Sequence, residues 1–160
     1  MNRALVLILL FFLVSCDEGL RIAPEDVDAW RIENKSDINE IVSIFRSDAC
    51  LRRVEMGSME YIRQDCELSK EQTQNVGRVQ ALLKNLGAVL VTGFKSEDGN
   101  FNVSILLSRK GIAVSGSGLT LEYWEKLESP WTKMLECGEM EKLSDEHWYI
   151  HKLQDGPSCY

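Results

Sequence analysis

Long hydrophobic runs are missing from this 160-residue chain. The longest, Ala4 to Val14, holds eleven apolar residues, which as a helix reach only about half of the roughly 30 Å hydrocarbon core of a bilayer. A spanning anchor is therefore disfavoured. Basic residues are also short: 18 Lys and Arg stand against 25 Asp and Glu, for a formal net charge of -7. Nucleic acid and anionic headgroups are bound by Lys and Arg that displace counterions, so this balance argues against a nucleic-acid partner. It suits a basic protein partner, or solubility alone. Phosphate loops, dinucleotide fingerprints, H-E-x-x-H, G-x-S-x-G and C-x-x-C are absent. The enzyme families those motifs mark are excluded, and no cofactor and no metal are expected.

What the chain does have begins at its first residues. A basic start at Arg3, the apolar run and the small Ser15 describe an export signal. The ending Leu13-Val14-Ser15-Cys16 resembles the lipobox of bacterial lipoproteins. That resemblance implies cleavage before Cys16, acylation of its thiol and amino group, and a lipid bilayer as the first partner. Two acyl chains suffice for stable attachment where one does not. The plain secretory signal and the uncleaved anchor are the competing readings of the run. Asp17 stands where enteric-type lipoproteins carry inner-membrane retention, so the resemblance places the protein on the periplasmic side of that membrane. Removing residues 1–15 leaves 145, enough for one domain, and with Arg3 gone the net charge becomes -8.

With Cys16 assigned to lipid, Cys50, Cys66, Cys137 and Cys159 remain, an even number suited to an oxidising compartment. Four cysteines allow three pairings. Local closure costs least chain entropy, which favours Cys50 with Cys66 and Cys137 with Cys159.

Residues 17–35 are acidic, contain Pro24 and show no sustained apolar period. They read as a tether, with Trp30 and Ile32 docking as an edge strand, and the domain is expected to run from Ser36 to Tyr160. Ser36 starts a helix carrying Ile38, Ile41, Val42 and Phe45 on one face. The stretch from Cys50 to Cys66 has no clear period. Ser69 with Gln72 forms a capping box, after which Val76, Val79, Leu82, Leu83 and Leu86 share a face until Gly87. The period then changes to two. Ala88–Lys95 and Phe101–Leu107 flank a turn at 96–100, and Arg109-Lys110-Gly111 is a second turn. Ile112–Trp124 is a strand bent at Gly116-Ser117-Gly118, and His147–Leu153 is a fourth strand. Residues 125–146 form an excursion, helical around Trp131 to Glu136. The fold class is α+β, with two or three helices on one face of an antiparallel meander of about four strands.

Candidate sites are few. His147 and His151, four apart on a strand, are about 13 Å from each other and cannot share an ion. Backbone amides at Gly116-Ser117-Gly118 could cradle an anion, although a strand bend explains those glycines more simply. If Trp148 and Ile150 point inward, Tyr149 and His151 join Asn102 and Ser104 on an open recognition face for a protein partner. The acidic groups Glu97-Asp98, Glu139, Glu141 and Asp145-Glu146 leave open an envelope hydrolase working with paired carboxylates, but nothing singles out two of them. The leading expectation is a tethered protein-binding module, such as an immunity protein or an accessory of an envelope complex. The run Leu86-Gly87-Ala88, the stretch Gly111-Ile112-Ala113-Val114-Ser115-Gly116-Ser117 and the end Trp148-Tyr149-Ile150 are similar to small uncharacterised proteobacterial envelope lipoproteins. That resemblance carries no catalytic residue.

Overall fold

The computed structural model describes residues 17–55, 60–62, 66, 69–96, 99–112 and 115–153. Cys16, Cys159, Glu97 and Asp98 lie outside them, so the lipid site and the Cys137–Cys159 pairing do too. In chain order the elements are β1 (Asp17–Gly19), a 3-10 turn (Pro24–Asp26), α1 (Val27–Glu33), α2 (Lys35–Ser47), β2 (Leu51–Glu55) and β3 (Glu60–Ile62). They continue with α3 (Lys70–Leu86), β4 (Leu90–Lys95), β5 (Phe101–Ile112), β6 (Ser115–Trp124), α4 (Trp131–Glu136), β7 (Met140–Lys142) and β8 (Trp148–Leu153).

The protein is α+β, and its antiparallel sheet is larger than the expected four strands. Seven strands follow the order β3-β2-β4-β5-β6-β8-β7, and β1 pairs β5 off that path. The four expected strands form the centre. Of the additional ones, β1, β3 and β7 have three residues each, too short to show a period, and the five-residue β2 is interrupted by a register shift between Leu51 and Arg53. The order also departs from a meander, because β8 inserts between β6 and β7 after the 125–146 excursion.

Helices cover one face as expected, through α2 with Ile38, Ile41, Val42 and Phe45 and α3 with Val76, Val79, Leu82, Leu83 and Leu86. These meet Val91, Val103, Ile105, Leu121, Trp148 and Ile150 of the sheet in one core. Helix α3 begins with the capping box: Ser69 Oγ accepts from the Gln72 amide at 3.2 Å and Gln72 Oε1 accepts from the Ser69 amide at 2.8 Å. It ends at Gly87 with φ +68°, a left-handed conformation that costs glycine nothing. Arg78 Nη2 donates to Glu40 Oε2 at 2.7 Å and links the two helices.

Residues 17–35 are folded, which corrects the tether. Strand β1 runs along β5 with Asp17 opposite Lys110, and Trp30 and Ile32 belong to α1 instead of an edge strand. Val27 and Arg31, one helical turn apart, are both buried. The Arg31 guanidinium bonds Asp28 Oδ1 at 2.9 and 3.1 Å and Ser144 Oγ at 3.3 Å, and lies 5.7 Å from the Trp148 ring centroid. Charge spacing hid this segment, because a buried arginine reads as surface in a hydropathy pattern. The domain therefore includes Asp17, and the boundary at Ser36 falls inside α2.

The strand turns differ as well. Arg109 to Ile112 continue β5, opposite Gly118 to Ser115, so Gly116, Ser117 and Gly118 sit in an ordinary ladder. The register shift is on the other strand, between Leu106 and Ser108, where Leu107 is the extra residue. One disulfide is complete among the described residues: Cys50 and Cys66, with Cα atoms 5.8 Å apart, close the β2–β3 hairpin at its base.

Gly93 lies under the Phe45 ring, where a Cβ would collide with the aromatic edge. Gly93→Ala is expected to cost about 1–3 kcal/mol by overpacking, read as a lower urea midpoint with an unchanged slope. A midpoint equal to the parent's would mean that α2 does not pack on β4 as described.

Candidate functional site

Polar side chains collect on the sheet face that α1 to α3 leave uncovered. Direct pairing puts Thr92, Ser104, Glu122 and Tyr149 in one row across β4, β5, β6 and β8. A second row is Phe94, Asn102 and Trp124, and a third is Leu90, Leu106, Thr120, His151 and Met140. Residues directly opposite on antiparallel strands share a face, so the three rows form one surface.

Most of that surface is covered. The 125–146 excursion returns across it with α4, and Trp124, Met134, Met140 and Tyr149 form a second apolar cluster with Leu127, Trp131 and Leu135 against it. Tyr149 is 8% exposed and His151 9%, so neither lies on the open face expected for them; Asn102 and Ser104 are half-buried. The alternation of Tyr149 and His151 against Trp148 and Ile150 is as expected. What the strand pattern could not show is that β8 is buried on both faces. Burial pushes the Tyr149 hydroxyl pKa up, with Glu146 adding to it, and holds the His151 pKa down against the opposing effect of Glu139. The Tyr149 hydroxyl donates to the Glu146 carbonyl at 3.2 Å. His147 is elsewhere, its Nδ1 3.0 Å from the Trp124 carbonyl oxygen.

Glu122 is the chemically unusual group. It is 4% exposed and accepts one hydrogen bond, from Ser104 Oγ at 2.8 Å. Desolvation pushes its pKa up to about 7, against the Ser104 bond and the Trp124 indole, which both favour charge. Trp124 Nε1 is itself sealed from solvent and meets no described atom in hydrogen-bond geometry. Sequence reasoning passed over Glu122, although the pattern Leu119-Thr120-Leu121-Glu122 inside an apolar strand was its available signal.

Beyond the cover the surface opens into a groove of about 310 Å³ at the β4–β5 hairpin end. Phe94, Asn102, Trp124, Glu128 and Trp131 line it. Phe94 is 56% exposed and carries the Arg52 guanidinium 5.4 Å from its ring centroid. Trp124 and Trp131 meet with centroids 5.0 Å apart and planes tilted by 45°. Lys126 pairs Glu128 at 3.7 Å. The groove thus gathers one expected residue, Asn102, with aromatics that the sequence left unassigned. Other acidic candidates are dispersed: Glu141 pairs Lys152, while Asp145 lies 3.8 Å from Arg31. Among the described residues no three His, Cys, Asp or Glu side chains converge as metal ligands.

Comparison with family models, curated proteins and solved structures gave no match.

The raised Glu122 pKa has a definite sign. The folded state holds this proton more tightly than the unfolded chain, so stability is full below the ordinary value of 4.5 and is lost as pH rises through about 7. Glu122→Gln keeps an acceptor for Ser104 and removes the ionisation. Its stability advantage over the parent should grow between pH 5 and pH 8 by up to about 3 kcal/mol, measured by urea unfolding at both values. A constant difference would place Glu122 in water. Tyr149→Ala should cost about 2–4 kcal/mol in the same assay, through the cavity left under α4. A neutral result would return Tyr149 to an exposed surface.

Proposed function

We propose that the chain is an envelope lipoprotein, held through acylated Cys16 on the periplasmic side of a bacterial membrane, whose folded part is a binding module. The observation that carries the binding reading is the open aromatic groove at Phe94, Asn102 and Trp131. Exposed aromatic surface with polar groups at its edge is the usual character of a recognition site. Hydrolysis by paired carboxylates is the weaker reading, because Glu128 is the one carboxylate among the groove's lining residues and is matched with Lys126. Glu122 has the pKa of a general acid but is sealed beneath the surface.

The register supports a specific presentation. Strand β1 starts at the residue after Cys16 and pairs with β5 at Lys110, whereas the groove lies at Asn102, eight residues along the same strand. That separation is about 26 Å at the usual strand rise. An acylated Cys16 would hold the β1 end at the headgroups and turn the groove toward the periplasm. No flexible tether is needed in this arrangement, and the acidic surface stays off anionic lipid.

Cys16→Ser should move the protein from the membrane pellet to the soluble envelope fraction. Intact-mass measurement of the parent should find a chain beginning at Cys16 and carrying acyl groups. A mature chain beginning elsewhere, or a Cys16→Ser protein still held in the membrane, would overturn the anchor.

A further inference from the structure

We infer that the groove at the β4–β5 hairpin is a saccharide subsite that takes one neutral pyranose ring of an envelope glycan. This rests on the binding-module reading and on export to the envelope, not on acylation of Cys16. A groove of about 310 Å³ is at the small end of ligand sites, room for a single ring and its substituents. Trp131, half-buried and backed by the buried Trp124 ring, supplies one aromatic face and Phe94 a second, exposed one. A pyranose presents an axial C–H face that packs on such rings, whose faces are electron-rich, and a rim of hydroxyls that both donate and accept.

Charge and hydrogen-bonding capacity discriminate between occupants. Glu128 is the one charged residue among those lining the groove, and Lys126 beside it matches its charge. Neither a strongly cationic nor a strongly anionic ligand is favoured over a neutral one. An apolar side chain from a protein would fill the same space, but it would bury the Asn102 amide, which makes no hydrogen bond among the described residues. Leaving that amide dry and unpaired is costly. A sugar hydroxyl meets it, and further hydroxyls reach Glu128 and the Ser129 side chain at the groove rim.

The test uses the full chain purified in detergent micelles and a β-1,4-linked tetramer of N-acetylglucosamine, followed by tryptophan fluorescence and calorimetry. Saturable binding is expected, weakened at least about tenfold by Trp131→Ala and by Asn102→Leu; the Asn102→Leu thermal midpoint stays close to the parent's, and Trp131→Ala, which also loses packing on Trp124, is assayed well below its own midpoint. Asn102→Leu is the decisive variant: it should weaken the saccharide while strengthening the apolar dye anilinonaphthalene sulfonate. If the dye binds in the groove and the tetramer, isolated sacculi and lipopolysaccharide vesicles all fail to bind, the subsite is overturned and the binding module stands. Failure of dye and glycans alike overturns both. Co-sedimentation with sacculi would identify the source as cell-wall glycan, and retention on lipopolysaccharide vesicles alone would identify it as outer-leaflet sugar; either supports the subsite. Tetramer binding unchanged in both variants would place any sugar site elsewhere and overturn the proposal.

Discussion

The hydrogen-bond ladder along β5 is the constraint on which the other parts of the structure depend. One edge of this strand carries β6 from Asn102 to Ile112; the other carries β4 up to Leu106 and then β1 from Ser108. The changeover coincides with the extra residue Leu107, whose side chain stays in the core. A bulge lets one strand serve two partners end to end without losing its buried face. Because side chains alternate with period two, this single register also decides which residues reach each face. A slip of one position would drive Ser104 and Glu122 into the helix-facing core.

The two faces are solved differently. Beneath α1, α2 and α3 the packing is closed and mainly apolar, with Phe45, Phe101 and Trp148 among its aliphatic residues. On the other side α4 covers a row containing Ser104, Glu122 and Tyr149, where burial of a carboxylate must be offset by holding its proton. The cover stops short of the β4–β5 hairpin, and that incompleteness exposes Phe94 and leaves the groove. Stability near the centre and an open site at the edge follow from the same short excursion, residues 125–146. Under the proposed reading, β5 links the anchored end beside β1 to the groove.

Much of the helix-facing half was legible in the residues. Ser69, Gln72 and Gly87 mark α3 by local hydrogen bonding, and the three-four spacing of Ile38, Ile41, Val42 and Phe45 marks α2 because an amphipathic helix must repeat at that interval. The alternation from Phe101 onward marked β5 up to Leu107, but Arg109 to Ile112 read as a turn and a new strand because charges and glycine imitate one. Strand β7 and the residues after Asp17 were not legible, since three-residue strands carry no measurable period. Arg31 was missed for a different reason: its burial depends on Asp28 and Ser144, the latter distant in sequence.

For the site, Asn102 was reachable from strand alternation, and Tyr149 and His151 were placed on the correct face. Their burial was not reachable. Alternation states which side of a sheet a residue takes, and it is silent on what packs against that side. Local sequence therefore determined where α2 and α3 run, which alternating residues share a strand face, and that Cys50 pairs with Cys66, because capping, period and short-loop entropy act over a few residues. The tertiary structure alone decided that β1 belongs to the sheet, that Glu122 is desolvated, and that Phe94, Asn102 and Trp131 share a groove. Those outcomes come from contacts between segments far apart along the chain, whose free energy exists only once both segments are in place.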